Sequence, residues 1–166
     1  MEDAPVAAVP VLLALLGLVP LLGISSGAVR LPAAATEVPG LIVAVSLSPP
    51  ANRALVSRKE TLIVAAELTG FPQPGTPKQF IDGEGQLDLG NVTTEILPGQ
   101  NGVFKSFFLK TAPLRHTDKR GPQLLINVYS GRKSSPNNLI DCGIYEGPLR
   151  RVENKTIPIA CKLIGE

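Results

Sequence analysis

The chain has 166 residues, of which 44% are hydrophobic and 18% charged, with 16 Gly, 16 Pro and a formal net charge of +2. This composition excludes a disordered polyelectrolyte and a protein built of long helices. The mild positive charge lacks the dense Lys and Arg stripe of a nucleic-acid-binding protein, so no nucleic acid is expected among the partners. The length suffices for one targeting segment and one domain that buries its own core.

Residues 1–35 are predicted to be a signal peptide and a short linker. Residues 4–24 carry no charge, and the small residues that follow offer cleavage near Ala28 or Ala35. The protein is therefore expected to be secreted, to the extracellular space or the periplasm. Two acids and no base precede the apolar run, which departs from the usual signal peptide. The alternative is an uncleaved membrane anchor over residues 4–24, because about twenty apolar residues span a bilayer.

Short apolar runs separated by Gly and Pro predict the strands of the remaining chain. Many of these runs are rich in β-branched residues, and turn-forming residues stand at their ends. No stretch after the leader keeps helical periodicity over about twelve residues, so little helix is expected. Residues 51–60 and 71–77 are predicted loops. The predicted strands are 41–48, 61–69, 78–82, 86–89, 92–97, 103–110, 123–130, 138–145 and 156–164.

Seven to nine short strands at this spacing predict an all-β fold of antiparallel strands. The strand rhythm of residues 41–164, the break at Ser48-Pro49-Pro50 and the strand at 124–129 resemble those of immunoglobulin-like and bacterial Ig-like modules. The resemblance implies a single immunoglobulin-like β-sandwich over residues 36–166. The sequence differs from antibody-type domains because it contains no Trp. A fold of this class does not specify a function.

The two cysteines, Cys142 and Cys161, fall in the last two predicted strands. If these strands form a hairpin with its loop at 147–155, the two thiols lie opposite each other and a disulfide follows. Pairing is the usual state of cysteines in exported proteins. Two buried free thiols are the alternative. A zinc site is disfavoured because zinc needs about four ligands and the chain adds only one His.

No catalytic residue, cofactor or metal is expected. His116 stands near Asp118 in a predicted loop, without a nucleophilic Ser in a Gly-flanked turn. Asp82, Glu84 and Asp88 alternate along a Gly-containing loop and are a weak Ca²⁺ candidate, since Ca²⁺ prefers oxygen ligands. Their spacing departs from the calcium-loop signature because no Glu closes the loop.

Dibasic pairs occupy four predicted loops. If alternate loops emerge at opposite ends of a sandwich, three pairs share one end, while Arg132 and Lys133 lie at the other. A cluster of this kind would bind an anionic glycan, lipid head groups or an acidic protein. The alternative is that the loops carry charge only for solubility. The residues predicted to share one end are Arg58, Lys59, Lys119, Arg120, Arg150 and Arg151.

Two Asn-x-Thr sequons begin at Asn91 and Asn154. Sequons of this type are glycosylated in secreted proteins of eukaryotes. Both are therefore glycosylation sites only if the source is a eukaryote.

The sequence predicts an exported, non-enzymatic structural or interaction module that binds another protein or a cell-surface component. One alternative is a secreted inhibitor or ligand-binding protein that uses protruding loops at 71–77 or 130–138. A second alternative is a hydrolase with an unrecognised site.

Overall fold

Two four-stranded β-sheets form the fold in the computed structural model, which describes residues 34–166. The predicted cleavage site near Ala28 and the alternative anchor at 4–24 lie outside the described residues. The other predicted cleavage site follows Ala35, which is the first residue of a strand and pairs with Lys110. Within residues 34–166, no helix has the length and apolar character needed to cross a membrane.

The described elements alternate between strands and a few short helical segments. In chain order they are β1 (Ala35–Leu47), α1 (Pro49–Ser57), β2 (Leu62–Gly70), a 3₁₀ turn (Lys78–Phe80), β3 (Leu87–Ile96), β4 (Gly102–Lys110), α2 (Thr111–Leu114), β5 (Gln123–Ser130), β6 (Ile140–Cys142), β7 (Tyr145–Pro148), a second 3₁₀ turn (Leu149–Arg151) and β8 (Thr156–Leu163).

Sheet 1 has the strand order β4-β1-β8-β6, and sheet 2 has the order β3-β2-β5-β7. The predicted all-β sandwich is confirmed, with eight strands in the described part of the chain. Five of the six neighbouring pairs are antiparallel, and β1 pairs with β8 in parallel. This pair differs from the antiparallel arrangement that the sequence predicted. Parallel pairing needs a long connection, and most of the domain separates β1 from β8.

The core lies between the sheets because alternate side chains of each strand point inward. On β5, for example, Leu124, Ile126 and Val128 are buried, while the residues between them are more exposed. The buried apolar residues of both sheets and of α1 form one cluster. Its largest fully buried apolar members are Leu55, Leu62, Leu68, Leu87, Leu89, Phe107, Leu109, Leu124, Ile126, Ile140 and Leu149.

The segment after β1 is a helix, where the sequence predicted a loop. Ser48 caps α1 by accepting a hydrogen bond from the amide of Ala51, and two prolines occupy its first turn. Proline is favoured there because the first helical amides have no intrahelical partner. The helix buries Ala51 and Leu55. It spans only nine residues, too few to produce the long periodic pattern that predicts a helix from sequence.

β3 is one strand, where the sequence predicted separate strands at 86–89 and 92–97. The register against β2 shifts between Leu68 and Thr69, and Gly90 adopts a φ of 133° at the shift. A glycine tolerates this φ, so the strand continues through a bulge instead of ending. The predicted strand at 78–82 is also wrong, because a 3₁₀ turn and a single bridge from Ile81 to Leu87 occupy this segment.

The predicted strand 138–145 is divided between the two sheets. β6 pairs with β8 in sheet 1, whereas β7 pairs with β5 in sheet 2. The amide of Gly143 donates to Ala160, and the chain then crosses to the other sheet. The predicted hairpin is therefore wrong, although β6 and β8 are antiparallel neighbours. The predicted disulfide is confirmed, because Cys142 lies opposite Cys161 and the two are bonded.

Candidate functional site

Four exposed cations lie together at one end of the sandwich, in the loops before β5 and after β7. Gln123 and Pro148 are paired where β5 begins and β7 ends, so the flanking segments leave the sheet at the same place. A guanidinium nitrogen of Arg150 donates to the carbonyl oxygen of Arg120 at 3.0 Å and joins the two loops. We call this group the basic end: Lys119, Arg120, Arg150 and Arg151.

Arg120 is the best-fixed member of the basic end. Its guanidinium lies 3.4 Å from the ring centroid of Phe71, in cation–π geometry. It also contacts the carboxylate of Asp118 through two nitrogens, at 2.8 and 2.9 Å. The hydrogen bond from the Arg120 side chain lowers the pKa of Asp118, with its backbone amide and positive charge adding to the effect. Asp118 therefore holds Arg120 in one orientation.

The 71–77 loop lies beside the basic end and is hydrogen-bonded to the loop before β5. The amide of Asp118 donates to the carbonyl of Phe71 at 2.8 Å, and the amide of Gln73 donates to the carbonyl of His116 at 2.9 Å. The loop before β5 is thus bonded to the neighbouring loop as well as to Arg150. The His116 ring stacks on Phe80 with centroids 5.1 Å apart. Within residues 34–166, the His116 side chain makes no hydrogen bond to a carboxylate or hydroxyl.

Arg58 and Lys59 lie at the opposite end of the sandwich, which corrects the predicted six-residue cluster. β2 and β5 are antiparallel neighbours, with Leu62 opposite Ser130 and Thr69 opposite Gln123. The segments that precede these two strands must therefore leave the sheet at opposite ends. Arg58 and Lys59 share their end with Arg132 and Lys133, and the other four predicted residues form the basic end.

A buried carboxylate organises the end where Arg58 and Lys59 lie. Glu60 is 1% exposed. It accepts hydrogen bonds from the amides of Thr61, Lys133 and Ser134 and from the Ser134 hydroxyl. Burial alone would raise the pKa of Glu60, but these hydrogen bonds, led by that of the Ser134 hydroxyl, lower it to about 2. Glu60 therefore stays ionised and fixes the loop after β5.

The three acidic residues of the weak Ca²⁺ candidate, Asp82, Glu84 and Asp88, do not share a binding partner. Asp82 accepts hydrogen bonds from the amides of Glu84 and Gln86 within its own turn. Asp88 forms an ion pair with Lys110. Within residues 34–166, no group of three or more acidic, His or Cys side chains has the geometry to hold a metal ion.

Both sequon asparagines are exposed. Asn91 lies in β3, at an edge of sheet 2. Asn154 lies in the turn before β8 with a φ of 58°, and its backbone amide donates to the carbonyl oxygen of Gly40. The prediction of glycosylation stays a prediction.

Sequence reasoning missed Glu60, Asp118 and Phe71 as the residues that position the charged loops. A partial signal existed for Asp118, because an Asp two residues before an Arg in a turn often accepts the backbone amide. The amide of Arg120 does donate to Asp118 at 2.9 Å. No local signal identified Phe71 or Glu60, because their partners Arg120 and Ser134 are distant in the sequence.

Comparisons with protein-family models, with curated proteins and with solved structures give no significant match. The resemblance to immunoglobulin-like modules therefore stays a prediction from strand spacing. The two sheets described above define an all-β fold.

Proposed function

We propose that this chain is an exported, non-enzymatic interaction module that binds an anionic surface component or partner through the basic end. The observation that carries the proposal is the 3.0 Å hydrogen bond between Arg150 and Arg120, which joins the two loops that supply all four cations. A charge cluster that is already in place loses less conformational entropy on binding than independent side chains lose. Sulfate, phosphate and carboxylate groups share the chemistry that such a cluster recognises.

The positive charge of the basic end remains available to a partner. Within residues 34–166, Lys119, Arg150 and Arg151 take part in no salt bridge, and the charge of Asp118 is balanced by Arg120. Three charges are therefore free to attract an anion. At physiological ionic strength this attraction acts over about 8 Å, so we expect binding to weaken steeply as salt rises.

The disulfide supports the exported part of the proposal. Stable disulfides persist in oxidising compartments and are rare in the reducing cytosol. The Cys142–Cys161 bond joins two neighbouring strands of sheet 1. A structural bond of this kind is consistent with a secreted protein.

Heparin chromatography and vesicle flotation test the proposal with a matched pair of variants. The test variant carries Lys119→Gln, Arg150→Gln and Arg151→Gln. The control carries Arg58→Gln, Lys59→Asn and Arg132→Asn, which remove the same charge at the opposite end. Asn is used at positions 59 and 132 because both have positive φ, and Asn tolerates this conformation. Both variants are checked for an unchanged thermal unfolding transition.

We expect the test variant to elute from heparin at lower salt than the parent, and the control to elute close to the parent. Vesicles of phosphatidylcholine with and without phosphatidylserine then separate a lipid partner from a glycan. Equal losses in both variants would mean that only net charge matters, and the proposal would be rejected. Full retention of the test variant would reject it as well.

A further inference from the structure

The outward surface of sheet 1 is apolar across its three longest strands. The strand register places Val103, Ile42 and Thr156 side by side, with Ala44 next to Pro158 in the following row. Val103 is 56% exposed and Ile42 39% exposed. Successive side chains of a strand point to opposite faces of the sheet. These side chains alternate with the buried ones and therefore point away from the core. We call this surface face 1: Ile42, Ala44, Val103, Pro158 and Ala160.

Two lysines stand at one margin of face 1. Lys105 and Lys155 line a depression of about 270 Å³ beside Gly40 and Ile42. Within residues 34–166 neither lysine takes part in a salt bridge. At the opposite margin, by contrast, Lys162 is paired with Asp141 at 3.6 Å. Lys105 and Lys155 therefore leave unbalanced positive charge at their margin of face 1.

The outward surface of sheet 2 has the opposite charge. Glu67 and Glu146 flank Leu125 in one row across β2, β5 and β7. Together with Glu84 they line a second depression of about 270 Å³, which contains no basic residue. None of the three glutamates forms a salt bridge within the described part of the chain. We call this surface face 2: Ile63, Ala65, Glu67, Glu84, Leu125 and Glu146.

We propose that face 1 of one copy of this chain docks on face 2 of a second copy. This arrangement places Lys105 and Lys155 against the glutamates of face 2 and covers the apolar surface of face 1. Contact between two copies of the same face would instead bring like charges together, which disfavours association. Charge complementarity therefore selects the unlike pairing.

Pairing of unlike faces allows assembly to continue beyond two copies. The docked pair keeps one free face 1 and one free face 2, so association continues beyond a dimer unless the geometry closes a ring. Arg120 of the basic end lies over the Phe71 ring at the rim of the face 2 depression, but none of the four basic-end residues lines either depression.

Sedimentation velocity of the full chain at rising concentration tests the docking. One variant carries Lys105→Glu and Lys155→Glu on face 1, and another carries Glu67→Lys and Glu146→Lys on face 2. The control carries Arg53→Glu and Arg58→Glu, on exposed positions in and after α1 that change the net charge by the same amount as the face 1 variant. The N-terminal segment is identical in all proteins, so it does not explain any difference between them.

We expect the parent and the control to form larger species as concentration rises. Each face variant alone should need at least about tenfold higher concentration to associate, since like charges then meet at the contact. An equimolar mixture of the two face variants should associate again, because unlike charges meet once more. That recovery also shows that both variants are folded.

Three results would overturn the proposal. A parent that stays monomeric at every concentration excludes the docking. Loss of association in the face 1 variant alone, without loss in the face 2 variant, would indicate that face 1 pairs with itself. Failure of the mixture to associate would show that the two faces do not meet.

Discussion

The Ser134 hydroxyl lies 2.6 Å from a carboxylate oxygen of Glu60, although the two residues are 74 positions apart in the chain. The same oxygen also accepts the backbone amide of Ser134 at 2.7 Å, while its partner oxygen accepts the amides of Thr61 and Lys133. A single buried side chain thus joins the start of β2 to the loop after β5.

Replacing Glu60 with Gln should lower the free energy of unfolding by about 1–3 kcal/mol, because an amide has one acceptor oxygen and its NH₂ group faces backbone donors. Urea denaturation at pH 7 measures the change. Glu37→Gln is the control, since Glu37 is exposed at the start of β1. An effect of Glu60→Gln no larger than that of the control would refute a structural role for the carboxylate.

The stability of the parent should also depend on pH through Glu60. Its pKa is about 2 in the folded protein and 4.5 ordinarily, so the folded state binds fewer protons than the unfolded state between these values. The stabilisation is fully present above about pH 4.5 and is lost as the pH falls toward about 2. Urea denaturation between these values should therefore show a steeper loss in the parent than in Glu60→Gln. Parallel curves would contradict the assigned pKa.

Removal of the disulfide should lower the free energy of unfolding by about 3 kcal/mol, since the bond joins residues 19 positions apart and restricts the unfolded chain. Urea denaturation of Cys142→Ala, Cys161→Ala measures this loss. Addition of a reductant should destabilise the parent by a similar amount and leave the double variant unchanged. A reductant effect on the double variant would point to a cause other than this bond.

Gly40→Ala should destabilise the domain by about 1–3 kcal/mol or more. A Cβ at position 40 would lie 1.9 Å from the carbonyl oxygen of Phe104, in the backbone of the neighbouring strand. Gly83→Ala is the matched control, because a Cβ there meets no heavy atom within 4 Å. Thermal unfolding should separate the two variants clearly. Equal midpoints would show that β1 and β4 adjust to the added methyl group.

Ser48→Ala should cost about 1 kcal/mol, because the hydroxyl caps α1 through the amide of Ala51. The same hydroxyl donates to Glu166 at 2.6 Å, so the variant also releases a contact near the end of β8. Ser57→Ala, near the other end of α1, should change stability by less than about 0.5 kcal/mol. Urea denaturation of both variants measures the two losses of stability. Equal losses would mean that the Ser48 hydroxyl contributes no more than a serine elsewhere in the helix.

The sequence by itself determined the features that depend on local chemistry. The strand at 123–130 has the predicted bounds, because alternating apolar residues between Gly-Pro and Gly suit only a short strand with one buried face. The bond between Cys142 and Cys161 was expected because cysteines of exported proteins usually pair, although the hairpin expected to bring them together does not form. The all-β class followed from the spacing of the turns.

Only the tertiary structure decided which strands are neighbours and which loops meet. Arg58 lies far from Arg120 because β2 and β5 run in opposite directions side by side, and strand pairing depends on contacts between distant residues. The division of β6 and β7 between two sheets has the same origin. The partners of Glu60 and Arg120 likewise come from distant segments. Local sequence pattern sets which face of a strand is buried, whereas the packing of the whole chain sets what that strand lies beside.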